Sequence, residues 1–119
     1  MADIKPRISV VYRDGVAVGT LADEKILDEV DIKSVEESIM SLLEKSKPVK
    51  LLLDFSNVKF FSSAMLGVLI RVSKHVYEEH GRLKLCNINP RIIEIFKITR
   101  LDKVFSIEDD IDKALVDFR

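Results

Sequence analysis

The order of hydrophobic and polar positions predicts a hairpin at the start of the chain, followed by alternating helices and strands. Two runs rich in β-branched residues, 8–13 and 16–21, flank Asp14-Gly15, a pair that tolerates the positive φ of a type I′ turn. The acidic, weakly periodic stretch 22–30 predicts a long connection or a ragged extension of the second strand. Strands that alternate with helices predict right-handed crossovers and a mostly parallel sheet.

The middle of the chain predicts a first amphipathic helix and then a buried strand. We expect the helix over about 32–45, with Asp31 as its N-cap and Lys47-Pro48 at its end, because the residue before proline avoids the helical region. Its apolar positions recur every three or four residues and are Ile32, Val35, Ile39, Leu42 and Leu43. The following run, 49–55, contains three consecutive leucines at 51–53 and is typical of a strand buried on both faces.

The longest helix is predicted next. It would begin with Ser62 or Ser63 as cap and run to about His80, with Gly81 as its C-terminal stop. Its inward stripe would consist of Met65, Leu66, Leu69, Val72, Val76 and Tyr77. A short strand over 83–87 follows.

Two sets of helix-capping residues predict the last two helices of the chain. Asn89-Pro90 is a cap followed by a first-turn proline, and it predicts a short helix to about 98. We expect a last strand over 103–105, and a terminal helix with Ser106 and Asp109 as its capping box. The apolar residues of this terminal helix would be Ile107, Ile111, Ala114 and Leu115. Together these elements predict a single α/β domain over 1–119. Its central sheet of four to five strands would be mostly parallel, with an N-terminal antiparallel hairpin and about four helices.

Composition narrows the possible partners and chemistry of this domain. The 119 residues carry 19 Lys+Arg and 20 Asp+Glu, a net charge of -1, which argues against a nucleic-acid partner because nucleic-acid binders usually carry a basic excess. The lone cysteine, Cys86, excludes an intramolecular disulfide and a cysteine zinc cage, and we expect its thiol to be a small buried hydrophobe. No apolar run approaches about 18 residues and no signal region begins the chain, so we expect a cytoplasmic protein with no membrane segment.

The segment 54–67 contains the candidate chemistry. A buried strand ends near Phe55, a short loop follows, and a helix begins at the serine pair. Helix N-termini present free N–H groups and a positive dipole end, so a phosphoryl group on a serine there would be stabilised. It would also add roughly -1.5 to -2 charge to the surface. The structural alternative is that the serines are only caps, and physical reasoning alone favours that alternative.

The neighbours of the serine pair have alternative roles too. We expect one of Phe60 and Phe61 to face the core and the other to lie near the surface as a partner contact, although both could be core residues. Asp54 could orient the serine loop, or it could be a simple turn carboxylate. Gly67 costs about 1 kcal/mol relative to alanine inside a helix and suggests close backbone packing there.

The residues 58–67 resemble the signature of STAS domains, as found in bacterial anti-sigma-factor antagonists. The family pattern is roughly Val-x-Phe-apolar-Asp-Ser-Ser-Gly-Leu-Gly, and its phosphoacceptor, the first of the paired serines, falls on Ser63. The likeness extends to the acidic turn 28–31, to the strand 83–88 and to 98–105, which is similar to a late Thr-Gly-Leu-x-x-Val-Phe signature. This chain departs from the pattern with Ser62 for Asp, Ala64 for the second serine, Met65 for glycine and Arg100 for a common glycine.

This resemblance implies a regulatory protein without an active site, cofactor or metal. The unphosphorylated form would bind an anti-sigma factor that is itself a serine kinase, and a sigma factor would be released. Phosphorylation of Ser63, or of Ser62 as a competing acceptor, would block binding, and a metal-dependent serine phosphatase would reverse it. The residues expected to contact the partner are Phe60, Phe61, Ser62, Ala64 and Met65, with Asp54 and Gly67 in support.

Two other functions fit parts of the sequence. The departures at 62, 64 and 65 favour a STAS scaffold or interaction module, in a signalling or transport complex, that is not phosphorylated. A serine hydrolase would need a base near its serine. However, His75 lies 12 residues beyond Ser63 on the same predicted helix, about 18 Å away by helix rise, so the sequence argues against this function.

Overall fold

The computed structural model describes residues 7–46 and 50–119, which form one mixed β-sheet with helices on both faces. The strands are β1 (Ile8–Arg13), β2 (Val16–Leu21), β3 (Lys25–Ile26), β4 (Lys50–Asp54), β5 (Phe60–Phe61), β6 (Arg82–Cys86) and β7 (Ser106–Glu108). The α-helices are α1 (Glu29–Ser46), α2 (Ala64–Glu78), α3 (Pro90–Ile98) and α4 (Ile111–Asp117), and a 3₁₀ turn covers Leu101–Lys103. The predicted helix end at Lys47-Pro48 and strand start at Val49 lie outside the described residues.

The predicted fold class is confirmed. The main sheet has five strands in the order β1-β2-β4-β6-β7; β1 and β2 are antiparallel, and the remaining pairs are parallel. Asp14 and Gly15 join β1 to β2 with φ values of 53° and 78°, so both adopt the left-handed region that the predicted type I′ turn requires. The short strands β3 and β5 form a separate parallel pair beside the sheet.

The central strand β4 explains how the two layers of helices attach. Leu51 and Leu53 face the core formed with α1, α2 and α3, whereas Leu52 faces α4. All three leucines are fully buried, as the continuous apolar run predicts. The α4 side of the core is the smaller one, and it consists of Val16, Val18, Leu52, Cys86, Ala114, Leu115 and Phe118.

The first helix begins earlier than predicted, and its cap is a different residue. Asp28 accepts a hydrogen bond from the backbone N–H of Asp31 at 2.8 Å, and α1 begins at Glu29. Asp31, the predicted cap, lies inside the first turn, where its carboxylate pairs with the Arg7 guanidinium at 3.1 Å. With 18 residues, α1 is also longer than α2, which has 15, so α2 is not the longest helix.

The end of α2 also differs from the prediction. Tyr77 was expected on the buried stripe, but its side chain is exposed. The helix ends through His80, which adopts φ 61°, and the N–H of Gly81 then bonds to the carbonyl of Val76 at 2.8 Å. This is a Schellman-type ending in which histidine, not the predicted glycine, takes the left-handed conformation.

The predicted last strand over 103–105 and the predicted capping box at Ser106 are both wrong. Ser106 lies in β7, where its hydroxyl accepts a hydrogen bond from the Lys84 ammonium at 2.7 Å. The terminal helix begins only at Ile111, and Asp110 caps it by accepting from the N–H of Lys113 at 2.9 Å. By contrast, the cap at Asn89 is confirmed, since its side chain accepts from the N–H of Arg91 at 2.9 Å.

The cap of α1 gives a direct test of this fold. Replacing Asp28 with alanine should lower the free energy of unfolding by about 1 kcal/mol, because one N–H of the first helical turn loses its acceptor. Asp28→Asn should keep nearly all of the stability, since an asparagine oxygen can accept the same bond. Urea unfolding of the three proteins measures both changes. An equal loss in both variants would show that the charge of Asp28, and not its capping bond, stabilises α1.

Candidate functional site

The serine pair is positioned by the short strands that flank it. β4 ends at Asp54, a loop follows, and β5 leads directly into the serines. Ile26 of β3 pairs in parallel with Phe61 of β5, and the carbonyl of Ile26 accepts a hydrogen bond from the N–H of Ser62 at 3.0 Å. The start of α2 is therefore fixed against the strand that precedes α1.

The two phenylalanines of β5 point in opposite directions, as expected for one core residue and one surface residue. Phe61 is 6% exposed, and its ring lies 6.5 Å from that of Phe55 and 6.2 Å from that of Phe96, measured between centroids. Phe60 is 40% exposed, and the ammonium of Lys25 lies 5.8 Å from its ring centroid. Of these two residues, Phe60 is therefore the one that can offer an aromatic surface to a partner.

Ser62 and Ser63 have different structural roles. The Ser62 hydroxyl oxygen accepts a hydrogen bond from the N–H of Ala64 at 3.1 Å, and its side chain is half-buried. Ser63 occupies the N-cap position of α2 with helical backbone angles, makes no side-chain capping bond and is exposed. The capping role thus falls to Ser62, and the Ser63 hydroxyl projects from a helix N-terminus without being needed to hold the helix.

An exposed apolar rim adjoins the serines, and the sequence prediction missed part of it. Leu27 directly follows Ile26, whose carbonyl bonds to Ser62, so Leu27 lies alongside the serine pair. Leu27 and Val30 are both exposed, as is Phe60. The available signal was the presence of three large apolar residues, Ile26, Leu27 and Val30, in the acidic stretch 22–30.

Two residues proposed as partner contacts do not reach the surface. Met65 is fully buried in the core, and Phe61 is nearly so, because both lie on the inward sides of their elements. Ala64 is exposed. The close packing expected at Gly67 is absent: an added Cβ would have the Arg71 guanidinium as its nearest neighbour, at 3.5 Å, which is an ordinary contact.

Asp54 organises the carboxyl end of the sheet. Its buried carboxylate accepts hydrogen bonds from the Thr20 hydroxyl at 3.1 Å and from the Asn87 amide at 2.9 Å. It also accepts from the N–H and the hydroxyl of Ser56 at 3.0 and 3.2 Å. These bonds join the ends of β2, β4 and β6 and fix the first residues of the serine loop.

The remaining candidate groups, Cys86 and the two histidines, differ in how far solvent reaches them. Cys86 is fully buried, and burial, with a smaller contribution from the nearby Asp54 charge, raises the pKa of its thiol to about 12. His80 is exposed and His75 is half-buried. The described part of the chain contains no group of three or more His, Cys, Asp or Glu side chains placed to hold a metal ion. No helix within residues 7–46 and 50–119 has the length and apolar character needed to cross a membrane.

Comparison with known proteins points to one family. The STAS domain model matches residues 7–114 of this chain. The anti-sigma-B factor antagonist of Bacillus subtilis is 32% identical over 85 residues, covering 69% of this chain and 76% of that protein.

Solved structures show the same fold. The crystal structure of an anti-sigma factor antagonist from Mycobacterium paratuberculosis is 28% identical, with a TM-score of 0.80 over 92% of this chain and 90% of that one. The Bacillus cell-fate determinant SpoIIAA in its phosphorylated form has a TM-score of 0.68 at 14% identity, over 92% of this chain and 96% of that one.

Removing the Asp54 carboxylate should destabilise the domain. In Asp54→Ala, the donors of the half-buried Thr20 and Asn87 and of the exposed Ser56 lose the buried carboxylate that joins them, and we expect a loss of about 2–4 kcal/mol in the free energy of unfolding. Asp109→Ala is the matched control, since the Asp109 side chain is exposed and its pair with Lys113 is a surface ion pair. Denaturant unfolding compares the two. A loss from Asp54→Ala no larger than that from the control would show that the network does not stabilise the sheet.

Proposed function

The chain belongs to the STAS domain family, and from this membership we propose that it is an anti-sigma-factor antagonist controlled by one serine. In its unphosphorylated form it binds an anti-sigma factor that is also a serine kinase, and a sigma factor is thereby freed. The kinase phosphorylates Ser63, which ends the binding, and a serine phosphatase restores it. The domain acts in the cytoplasm as ligand and substrate, with no catalysis of its own.

The position of Ser63 is the observation that carries this proposal. Its hydroxyl is exposed and makes no capping bond, while the neighbouring Ser62 supplies an acceptor to the first turn of α2. A phosphoryl group on Ser63 would therefore leave that bond in place. The free N–H groups and the dipole of α2 would favour the added negative charge. Modification without unfolding is the property that a reversible switch requires.

The apolar rim explains how a phosphate would interrupt binding. Leu27 and Phe60, at the two short strands that lead to the serines, are exposed, as is Val30 in the first turn of α1, and such side chains lose their hydration in a protein interface. A phosphoryl group on Ser63 would bring roughly -1.5 to -2 charge to this surface, and burying that charge unpaired in an interface is costly. The phosphorylated structure of SpoIIAA, which has this fold, supports the compatibility of the fold with such a modification.

A second candidate function keeps the interface and removes the switch. Ser62, Ala64 and Met65 replace the family's common Asp, Ser and Gly around the acceptor, and the exposed Ala64 changes the surface that a kinase would contact. The domain would then be a constitutive scaffold or interaction module in a signalling or transport complex. This alternative predicts binding that is indifferent to charge at Ser63.

Phosphorylation should occur on Ser63 and not on Ser62. We expect incubation with ATP and the anti-sigma-factor kinase of the source organism to add one phosphoryl group to the native chain and to Ser62→Ala, and none to Ser63→Ala. Ser62→Ala should lose about 1 kcal/mol of stability because it loses a capping acceptor. Intact-mass analysis and peptide mapping give the result. Labelling of Ser62, or of neither serine, would contradict the assignment.

Charge at Ser63 should weaken partner binding. Ser63→Asp should lower the affinity for the same kinase by at least about tenfold, which corresponds to about 1.4 kcal/mol, because a carboxylate replaces a small hydroxyl within the interface. Ser63→Asn is the matched control with the same shape and no charge, and it should bind far better than Ser63→Asp. Isothermal titration calorimetry measures both. Equal binding of the native chain and Ser63→Asp would favour the scaffold.

A further inference from the structure

A groove lies at one edge of the main sheet, between α3 and the last strand, β7. We call it the α3–β7 groove, and its volume is about 320 Å³. One face of α3, the end of β7 and the loop after β6 line it, and its apolar lining residues are Ile88, Pro90, Ile93 and Ile107. Grooves at the carboxyl ends of parallel strands are common places for a ligand.

β7 forms an open edge of the main sheet. β6 pairs with one side of β7, and no other strand among residues 7–46 and 50–119 pairs with its second side. Apart from this ladder, the described residues make no backbone hydrogen bond with the N–H or carbonyl groups of Ser106, Ile107 or Glu108. Unpaired backbone groups along an edge can accept an added strand, whose main chain then supplies the hydrogen bonds.

The two faces of β7 differ in chemistry, and this difference determines which side chains an added strand would need. Ile107 packs against the larger core, on the side of α3, and lines the groove. Glu108 borders the end of the groove, but its carboxylate lies on the α4 side, 3.5 Å from the Lys84 ammonium, which is 5.7 Å from the ring centroid of Phe118. Since side chains alternate along a strand, a ligand residue beside Ile107 would enter the groove, and its neighbour would lie beside Glu108.

The surroundings of Glu108 favour an additional cation. Its carboxyl group is hydrogen-bonded to that of Asp117, and this bond, followed by burial and the charge of Asp117, raises the pKa of Glu108 although Lys84 opposes the shift. The guanidinium of Arg82 does not supply the missing charge, because it donates to the backbone carbonyls of Asp117 and Phe118, at 2.9 and 3.0 Å. Two carboxyl groups thus share one ammonium, and a second cation beside them would be attracted.

The groove itself also disfavours an anionic ligand. Its lining contains three carboxylates and one ammonium, which belong to Glu94, Glu108 and Asp109, and to Lys97. The net charge stays negative when the neighbouring charged residues are included, which are Lys84, Arg91, Asp110, Asp112 and Lys113. At the start of α3, Pro90 has no N–H and the N–H of Arg91 bonds to the Asn89 side chain at 2.9 Å, so this helix N-terminus has few donors left for an anion.

We propose that β7 accepts an extended segment of a protein partner as an additional edge strand, with an aliphatic side chain in the α3–β7 groove and a lysine or arginine next to it. The aliphatic side chain contacts Ile93 and Ile107, and the cationic residue lies beside Glu108. This interaction goes beyond the serine switch, because no residue of the serine site lines the groove.

Two other occupants fit the groove less well. A second copy of this chain, paired through its own β7, would place the Glu108 side chains of both copies on one face of the strand pair without adding a cation. An acyl chain or another small apolar molecule would fill the groove but would leave the backbone groups of the strand edge unpaired.

Short synthetic peptides test the proposal without the natural partner. The probe is acetyl-Thr-Thr-Lys-Ile-Lys-Thr-Thr-amide, and two comparison peptides replace both lysines with glutamate or the isoleucine with serine. Titration of the full chain with millimolar probe, followed by amide NMR, should shift the signals of 88–97 and 105–110. The comparison peptides should each bind at least about tenfold more weakly, because one is repelled by Glu108 and the other leaves the groove unfilled. Added salt should weaken the binding of the probe.

Methylation of the peptide backbone distinguishes strand addition from the filling of a pocket. Alternate N–H groups of a strand point to opposite edges, so only one of the two sets can bond to β7. The first methylated peptide carries its methyl group on the isoleucine nitrogen, and the second carries methyl groups on both lysine nitrogens. We expect one of these two peptides to lose its binding and the other to retain it.

Paired variants of the chain test the two side-chain contacts. Ile93→Gln should lower the affinity for the probe at least about threefold, whereas Ile70→Gln, at an exposed isoleucine of α2, should leave it unchanged. Glu108→Gln should lower the affinity by about two- to fivefold, the range of an exposed ion pair, and should weaken its dependence on salt. Glu78→Gln, at an exposed glutamate of α2, is the matched control. The melting temperature of each variant shows whether it folds, and the peptide comparisons require no variant.

Four results would overturn the proposal. The first is the absence of probe-induced shifts at 105–110, and the second is equal binding of the lysine and glutamate peptides. The third is binding of both methylated peptides, since that result would assign the groove to a side chain or a small apolar ligand without strand addition. The fourth is a shift of the same signals with protein concentration in the absence of peptide, which would assign this edge to a second copy of the chain.

Discussion

The burial of Phe61 fixes the geometry of the serine site. Its ring contacts those of Phe55 and Phe96 inside the core, and its backbone pairs with Ile26 in the short parallel ladder. Because side chains alternate along a strand, an inward Phe61 requires an outward Phe60. The same ladder holds the N–H of Ser62 on the carbonyl of Ile26, so α2 begins at a fixed place. The exposure of Ser63 follows from this packing and depends on no interaction of its own.

Elements with strong local signals could be predicted from the sequence. Three features were specified by their own residues: the Asp14-Gly15 turn, the buried leucine strand at 51–53 and the helix cap at Asn89. In each, the tertiary structure keeps the local conformation that these residues favour. The serine site could be located because a buried strand, a short loop and a helix start follow one another there. The different roles of the capping Ser62 and the exposed Ser63 could not be predicted from the sequence. They depend on the pairing of β5 with β3, a strand some 35 residues earlier.

The other differences also arise from contacts between distant residues. Asp28 and Asp31 are equally plausible caps locally, but Arg7, the residue before β1, pairs with Asp31, while Asp28 caps the helix. Ser106 is a good capping residue, yet pairing with β6 and the hydrogen bond from Lys84 place it in a strand. In each case the side chain could play either of two local roles, and a contact with a residue distant in the sequence determines which one it plays.

The central claim is that a phosphate on Ser63 changes binding without changing the fold. The most direct measurement compares the native chain with the same chain phosphorylated at Ser63, by amide NMR spectra and by affinity for the anti-sigma-factor kinase. The account predicts shifts confined to the serine loop, the start of α2 and the adjoining residues near Leu27, together with a large loss of affinity. Shifts throughout the sheet, or an affinity unchanged by the phosphate, would contradict it.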